Sequence, residues 1–173
     1  LVETVRRRLP DAVIRSTFLL GFPGEDDGDF AALLDFQEKA RLDWLGCFTW
    51  SREEGTAAYA MEGRVPKKTA VERKKIIEER QVSISAQRMD RLAGRQFDVL
   101  IEESIECGPE NETVNDSETI WLGRLYCHAP EVDGAAVITG VEAAGVKPRP
   151  GDLLPGRIIA RRGFDLEVRI SRK

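Results

Sequence analysis

The chain has 173 residues, 42% of them apolar, and a formal net charge of −4, so it can bury a true core as one domain or two small ones. It holds no run of about 18 apolar residues, and its opening Leu1–Asp11 lacks the apolar stretch and small-residue cleavage site of a secretory signal, so the expectation is a cytoplasmic protein that does not enter a membrane. Three scattered cysteines, Cys47, Cys107 and Cys127, argue against a disulfide scaffold or a zinc site and for reduced buried thiols.

Leu1 to Leu9 repeats apolar residues at helical spacing and stops at Pro10-Asp11, as a helix feeding a strand would. The chain begins without methionine, inside that helix, which suggests a piece of something longer. The strand is expected over Ala12 to Leu20, ending at Gly21-Phe22-Pro23-Gly24-Glu25, a sharp turn. Asp26 can cap the helix that follows, with Phe30, Leu33, Leu34, Phe36 and Ala40 on its buried face and its end near Arg41. A second buried strand is expected over Leu42 to Ser51. Strand, turn, helix and strand make a parallel βαβ unit, whose ligand sites lie at the carboxyl ends of the strands. Two strands are only part of such a sheet, so more are expected upstream.

Lys67 to Ala93 reads as one long helix or two consecutive ones ended by Gly94, with Val71, Ile76, Ile77, Val82, Ile84, Met89 and Leu92 as its apolar stripe. Charge divides the chain in the same way. Residues 1–65 carry 8 Lys+Arg against 12 Asp+Glu, residues 66–94 carry 8 against 4, and residues 95–173 carry 10 against 14. Beyond Gly94, five short alternating runs (Phe97–Glu102, Ile120–His128, Ala135–Thr139, Leu153–Ala160 and Phe164–Ile170) are separated by turn signals, among them Cys107-Gly108-Pro109 and Pro150-Gly151-Asp152. The pattern fits a small five-stranded β-barrel of the oligonucleotide-binding type. The expected organisation is therefore α/β plus all-β, divided at 1–65, 66–94 and 95–173.

Alternation on the first strand sends Arg15, Thr17, Leu19 and Gly21 to one side and Ile14, Ser16, Phe18 and Leu20 to the other. In a barrel the helix-facing side takes the apolar set, so Arg15, Thr17, Leu19 and Gly21 are assigned to the lumen. On the second strand Phe48 and Trp50 share a face and suit a planar ring, although aromatics so placed more often belong to a core. Glu53 and Glu54 in the loop Ser51–Ala58 read as solvated carboxylates rather than an acid/base pair. His128 is the only histidine, so no Ser-His-Asp set exists, and neither a P-loop nor a dinucleotide fingerprint is present. The acidic β portion lacks the positive field that phosphate neutralisation needs, although Arg157, Arg161, Arg162, Arg169 and Arg172 can cluster locally.

The opening strand and turn, the loop Ser51-Arg52-Glu53-Glu54-Gly55-Thr56-Ala57-Ala58 and the β portion, in this order, resemble the C-terminal part of radical S-adenosylmethionine methylthiotransferases. The β portion resembles their TRAM domain through Gly123-Arg124, Ala129-Pro130-Glu131-Val132-Asp133-Gly134, Pro150-Gly151-Asp152 and Asp165-Leu166. Within that family, Arg15-Ser16-Thr17-Phe18 and the Ser-Arg-Glu-Glu-Gly-Thr loop look like the branch that modifies an aspartate of small-subunit ribosomal protein S-twelve rather than the branch that modifies an adenosine of transfer RNA. The resemblance implies S-adenosylmethionine and two [4Fe-4S] clusters in the full-length enzyme. It places Thr17, Leu19, Gly21, Phe48 and Trp50 along the S-adenosylmethionine pocket and gives recognition of the ribosomal protein to the TRAM domain. The family's cluster-binding cysteines are not reproduced by Cys47, Cys107 and Cys127, so no metal ligand is assigned, no cofactor is expected on this chain alone, and the chain alone is expected to be inactive. The competing reading from another class is a non-catalytic RNA-binding module, which predicts a basic groove with Trp121 or Tyr126 inside it.

Overall fold

In the computed structural model, which describes residues 1–107 and 118–170, the apolar run ahead of Gly21 is strand β1 (Arg15–Leu20), preceded by helix α1 (Val2–Arg8). Helix α2 (Asp27–Ala40) then crosses over to strand β2 (Trp44–Thr49), which lies parallel to β1 with Thr17 opposite Gly46 and Leu19 opposite Phe48. The helix begins where its sequence dictates. The Asp26 carboxylate accepts from the Asp29 amide at 2.9 Å while Asp29 accepts from the Asp26 amide at 3.2 Å, a reciprocal cap that satisfies two otherwise orphaned donors. It stops at Arg41, whose left-handed backbone ends the ladder. After a 3₁₀ turn (Ala57–Ala60), helix α3 (Lys67–Asp90) closes the unit formed by residues 1–88.

The core of this unit lies on one side of the two-stranded sheet, where Leu20, Cys47 and Ile77 are buried with Phe18, Phe30, Leu33, Leu34 and Leu45 packed around them. Two expected packing faces are corrected here. On α2 Ala40 is buried and Phe30, Leu33 and Leu34 pack on the core as expected, but Phe36 is exposed and Gln37 is buried; the Gln37 amide donates to the Ile77 carbonyl at 2.9 Å and to Gln81 Oε1 at 3.2 Å, so a polar contact with α3 takes the position given to the ring. On α3 the expected apolar stripe is displaced. Val71, Ile76 and Val82 are exposed, and Ala70, Arg73, Ile77, Gln81, Ile84 and Ser85 are buried. These six recur at helical spacing, but half of them are polar because each meets a polar group of the sheet or of α2. The segment expected to link the two portions thus spends most of its length covering the sheet.

The second unit, residues 89–173, is a closed five-stranded barrel in the order β3-β4-β5-β7-β6. Its strands are β3 (Gln96–Cys107), β4 (Glu118–Arg124), β5 (Ala136–Thr139), β6 (Leu153–Arg162) and β7 (Asp165–Ile170), with a single turn of helix, α4 (Val141–Ala144), after β5. All neighbours are antiparallel except β5 and β7. Val99, Ile101, Ala136, Ile138, Ile158, Leu166 and Val168 fill the interior, together with Met89 and Leu92 from the start of the unit. Bulges at Ile101/Glu103 and Ile158/Ala160 supply the bend that closure requires.

The expected strand Ile120–His128 ends at Arg124, because Leu125 to His128 make a turn in which the His128 amide donates to the Leu125 carbonyl at 3.0 Å. Phe164 belongs to the turn before β7 rather than to the strand. The turn expected at Cys107-Gly108-Pro109 extends outside the described residues, as does Arg172.

Candidate functional site

Because α2 and α3 cover one face of the β1–β2 pair, the other face is open. It carries Arg15, Thr17 and Leu19 from β1 and Trp44, Gly46 and Phe48 from β2, with Trp44 buried at its amino end and the carboxyl half exposed. Leu19 is 50% exposed and Phe48 63%, whereas Leu20, one residue from Leu19, is fully buried. A Cβ on Gly46 would sit 3.6 Å from Thr17 Oγ1, so the absence of a side chain there keeps the face shallow beside that hydroxyl. Parallel strands are normally covered on both faces. Two large exposed apolar side chains, neighbours in the register, therefore mark a surface suited to a ligand or to further structure.

Trp50 lies one residue past the end of β2, and its amide donates to the Leu20 carbonyl at 2.8 Å, which fixes it at the carboxyl edge of both strands. Its ring meets Phe22 edge-on, with centroids 6.3 Å apart and planes at 76°. Gly21 departs from its expected position. With φ of +76° it turns the chain away from the sheet, and a Cβ on it would lie 2.5 Å from the Ala70 Cβ of α3, so this position faces the helix and not the open face.

The turn itself is held from α3. Glu25 accepts from the Gly21 amide through Oε2 at 2.8 Å and from Arg73 Nη1 through Oε1 at 2.5 Å, while Arg73 Nη2 reaches Asp27 Oδ1 at 2.6 Å. The Arg73 guanidinium also lies 5.3 Å from the centre of the Phe30 ring. Sequence reading puts the Gly21–Glu25 turn at the border of a pocket but misses Arg73 as the group that holds it. The signal for Arg73 was its spacing with Ala70, Ile77 and Gln81, which an apolar pattern search passes over.

A second buried charge lies at the opposite, amino end of β2. Asp43 is fully buried and accepts from the Ile14 amide at 2.9 Å, from Arg88 Nε at 2.8 Å and from Arg6 Nη2 at 3.1 Å. Burial pushes its pKa up, but the Ile14 amide and the two guanidiniums outweigh it, and the carboxyl sits below its ordinary value. The group ties α1, β2 and α3 together far from the carboxyl edge.

The loop Ser51–Ala58 is organised by its own side chains. Ser51 Oγ donates to Glu53 at 2.6 Å, Thr56 Oγ1 donates to the Glu53 carbonyl at 2.8 Å, and Arg52 stacks 3.8 Å over the Tyr59 ring. Glu53 and Glu54 are exposed. Cys47 is buried under the helices, where desolvation first and Glu78 second push its thiol up to about 11, so it does not fit a thiolate ligand of an iron–sulfur cluster. Cys127 is buried in the other unit. Among the described residues no group of three His, Cys, Asp or Glu could hold a metal ion. No helix among them is long and apolar enough to cross a membrane.

On the barrel, Trp121 lines a groove of about 560 Å³ with Ile120, Val137, Thr139 and Val146, and Lys147 is the one charged lining residue among the described residues. Tyr126 stacks on Phe97 with centroids 5.0 Å apart. The arginines expected to cluster are partly committed elsewhere. Arg161 pairs with Asp90 at 2.7 Å, Arg162 pairs with Glu167 at 3.1 Å and Arg157 donates to the Gly94 carbonyl at 2.7 Å, while the exposed Arg157 and Arg169 face each other across β6 and β7. The acids of the turn motifs serve the backbone: Asp133 accepts from the Ala129 amide, Asp165 from the Ala135 amide and Asp152 from the Arg149 amide, each at 2.8 Å.

The chain thus places a β/α segment with one open face ahead of a five-stranded barrel. The TRAM domain family matches residues 93–170. Relatives named ribosomal protein uS12 methylthiotransferase RimO are 43% identical over 90% of the chain in Treponema denticola, 40% over 95% in Shewanella amazonensis and 37% over 98% in Koribacter versatilis. The chain covers 32%, 31% and 32% of these relatives, so it spans about a third of their length. Over that third the chain is similar to the C-terminal part of the RimO proteins.

Proposed function

We propose that this chain is the C-terminal part of a radical S-adenosylmethionine enzyme that adds a methylthio group to the β-carbon of an aspartate in ribosomal protein uS12. The supporting observation is the parallel β1–β2 pair, covered on one face and presenting Leu19 and Phe48 on the other. In this reading Leu19 and Phe48 form an apolar floor for S-adenosylmethionine and keep water from it, the Thr17 hydroxyl orients the ligand beside Gly46, Trp50 closes the carboxyl edge, and Gly21 serves only by making the turn. S-adenosylmethionine, when bound, supplies the radical chemistry that activates the aspartate carbon. The two [4Fe-4S] clusters belong to other parts of the full-length enzyme, and neither Cys47 nor Cys127 contributes to them. We assign residues 1–65 to the catalytic barrel, 66–94 to a helical connection and 95–173 to the TRAM domain, in the cytoplasm.

The TRAM domain takes the basic ribosomal protein as its partner. Its acidic balance, 14 Asp+Glu against 10 Lys+Arg over residues 95–173, attracts such a partner and repels RNA. The groove beside Trp121 offers a nucleic acid one lysine. RNA binding, including the transfer-RNA reading, has the Arg157 and Arg169 pair in its favour. The test is to titrate the chain with purified uS12 and with transfer RNA at two salt concentrations. Saturable binding to uS12 and weak binding to RNA is expected. Binding to RNA alone, with a steep loss at higher salt that Arg157→Glu and Arg169→Glu reproduce, would replace this reading with the RNA module.

A further inference from the structure

We infer that Arg73, acting through Glu25, is a positioning residue for the pocket at the carboxyl edge of β1 and β2: it fixes the turn that holds Phe22 against Trp50. The inference rests on the reading that this edge borders the S-adenosylmethionine pocket.

Three observations carry it. The pair is desolvated, with 7% of the Arg73 side chain and 13% of the Glu25 side chain exposed. Charges that deep are costly, and apolar side chains of similar size commonly pack helices to sheets equally well, so stability alone does not call for an ion pair at this point. Next, every group in the arrangement is aimed. One Glu25 oxygen takes the Gly21 amide at the last bend of the strand and the other takes Arg73, while the second arm of the same guanidinium takes Asp27 at the start of α2. One planar cation on α3 thus fixes where β1 ends and where α2 begins.

The third observation is what lies between those points. Phe22, Pro23 and Gly24 span the interval, and their path is closed by the Glu25 amide donating to the Phe22 carbonyl at 3.0 Å and the Gly24 amide donating to the Gly63 carbonyl at 2.8 Å. Phe22 therefore has little freedom, and its ring, 38% exposed, stands edge-on to Trp50 at 6.3 Å. Loosening the clamp moves a ring of the pocket border without touching the open face of Thr17, Leu19 and Phe48. A displacement of about 1 Å at such a border can cost up to a hundredfold in ligand handling.

The test compares Arg73→Met, Arg73→Lys and Glu25→Gln with Gln81→Ala, which breaks a buried contact on the same stripe of α3 away from the turn. Amide exchange is followed in the 173-residue chain. Dissociation constants for S-adenosylmethionine and for uS12 are measured by equilibrium dialysis on the full-length enzyme. Arg73→Met is expected to speed exchange at Gly21 and Glu25 and to weaken S-adenosylmethionine by about tenfold or more while leaving uS12 affinity unchanged. Arg73→Lys, keeping the charge without the two-armed geometry, recovers part of both losses. If Arg73→Met does not fold, Glu25→Gln, which keeps an acceptor for the Gly21 amide but loses the charge that holds Arg73, carries the expectation for S-adenosylmethionine affinity. Unchanged S-adenosylmethionine affinity in a folded clamp variant, or an equal loss in Gln81→Ala at matched thermal stability, overturns the inference. A wild-type enzyme that binds no S-adenosylmethionine overturns the pocket reading itself, and the two failures are separated by which protein shows them.

Discussion

Replacing Asp43 with asparagine removes one charge and leaves the shape of the site intact. The new amide still accepts from the Ile14 N–H, but Arg88 Nε at 2.8 Å and Arg6 Nη2 at 3.1 Å then face a neutral group in a site whose carboxylate is fully buried. Removing one partner of a buried ion pair costs about 3–5 kcal/mol. The two arginines keep 20% and 17% of their side-chain exposure, so water relieves part of this, and about 2–4 kcal/mol is expected. For a unit of this size the melting temperature falls by roughly 10–20 °C. The pH dependence has a definite sign. The folded carboxyl titrates below its unfolded value, so its stabilisation is complete above about pH 4 and disappears as pH falls through the folded pKa. Urea unfolding followed by tryptophan fluorescence, with Trp44 buried next to the site, measures both effects. Arg88→Met alone and the double variant complete a cycle, in which the double variant should cost less than the sum of the singles. An Asp43→Asn protein within about 0.5 kcal/mol of wild type, with an unchanged acid transition, would refute the reasoning.

Gly21→Ala forces a side chain into left-handed backbone and onto Ala70, so it should destabilise by about 2–4 kcal/mol in urea; Ala70→Gly should recover the steric part and leave the backbone part. Cys47, buried with its thiol at about 11, should react with iodoacetamide at pH 8 at least about a hundredfold slower than in unfolded chain, read by mass spectrometry of the peptide that contains it. Because that thiol is raised, its contribution to stability should weaken above about pH 9, and Cys47→Ser should remove this part of the alkaline loss. His128 is the only histidine, so its ring resonance is unambiguous. Burial first, opposed by Asp133 and Asp165, holds its pKa below 6.5, and the barrel should lose the corresponding stability as pH falls through that lowered value, a titration that NMR follows directly.

The order of the elements and the two architectures were legible because their signals are local. A period of two separates Thr17 and Leu19 from Phe18 and Leu20, Gly-Phe-Pro-Gly-Glu ends the strand, and Asp26 with Asp29 opens α2. Each depends on neighbours a few residues away, and so does the alternation that gives five strands after Gly94. That Thr17 and Leu19 point away from the helices was legible for the same reason.

What the tertiary structure decided is which polar groups go inside. Gln37 displaced Phe36 from the buried face of α2 because its amide finds Ile77 and Gln81, about forty residues on. Arg73, Gln81 and Ser85 entered the buried stripe of α3 because they meet Glu25, the Leu42 carbonyl and the Asp43 carbonyl. Gly21 turned toward Ala70, and β5 paired with β7 rather than with the strand nearest in sequence beyond it. Periodicity and capping by themselves determined where helices and strands form. Only the folded chain determined which charges and amides are buried, because a buried polar group is tolerable only when a distant partner completes its hydrogen bonds, and that partner is chosen by packing.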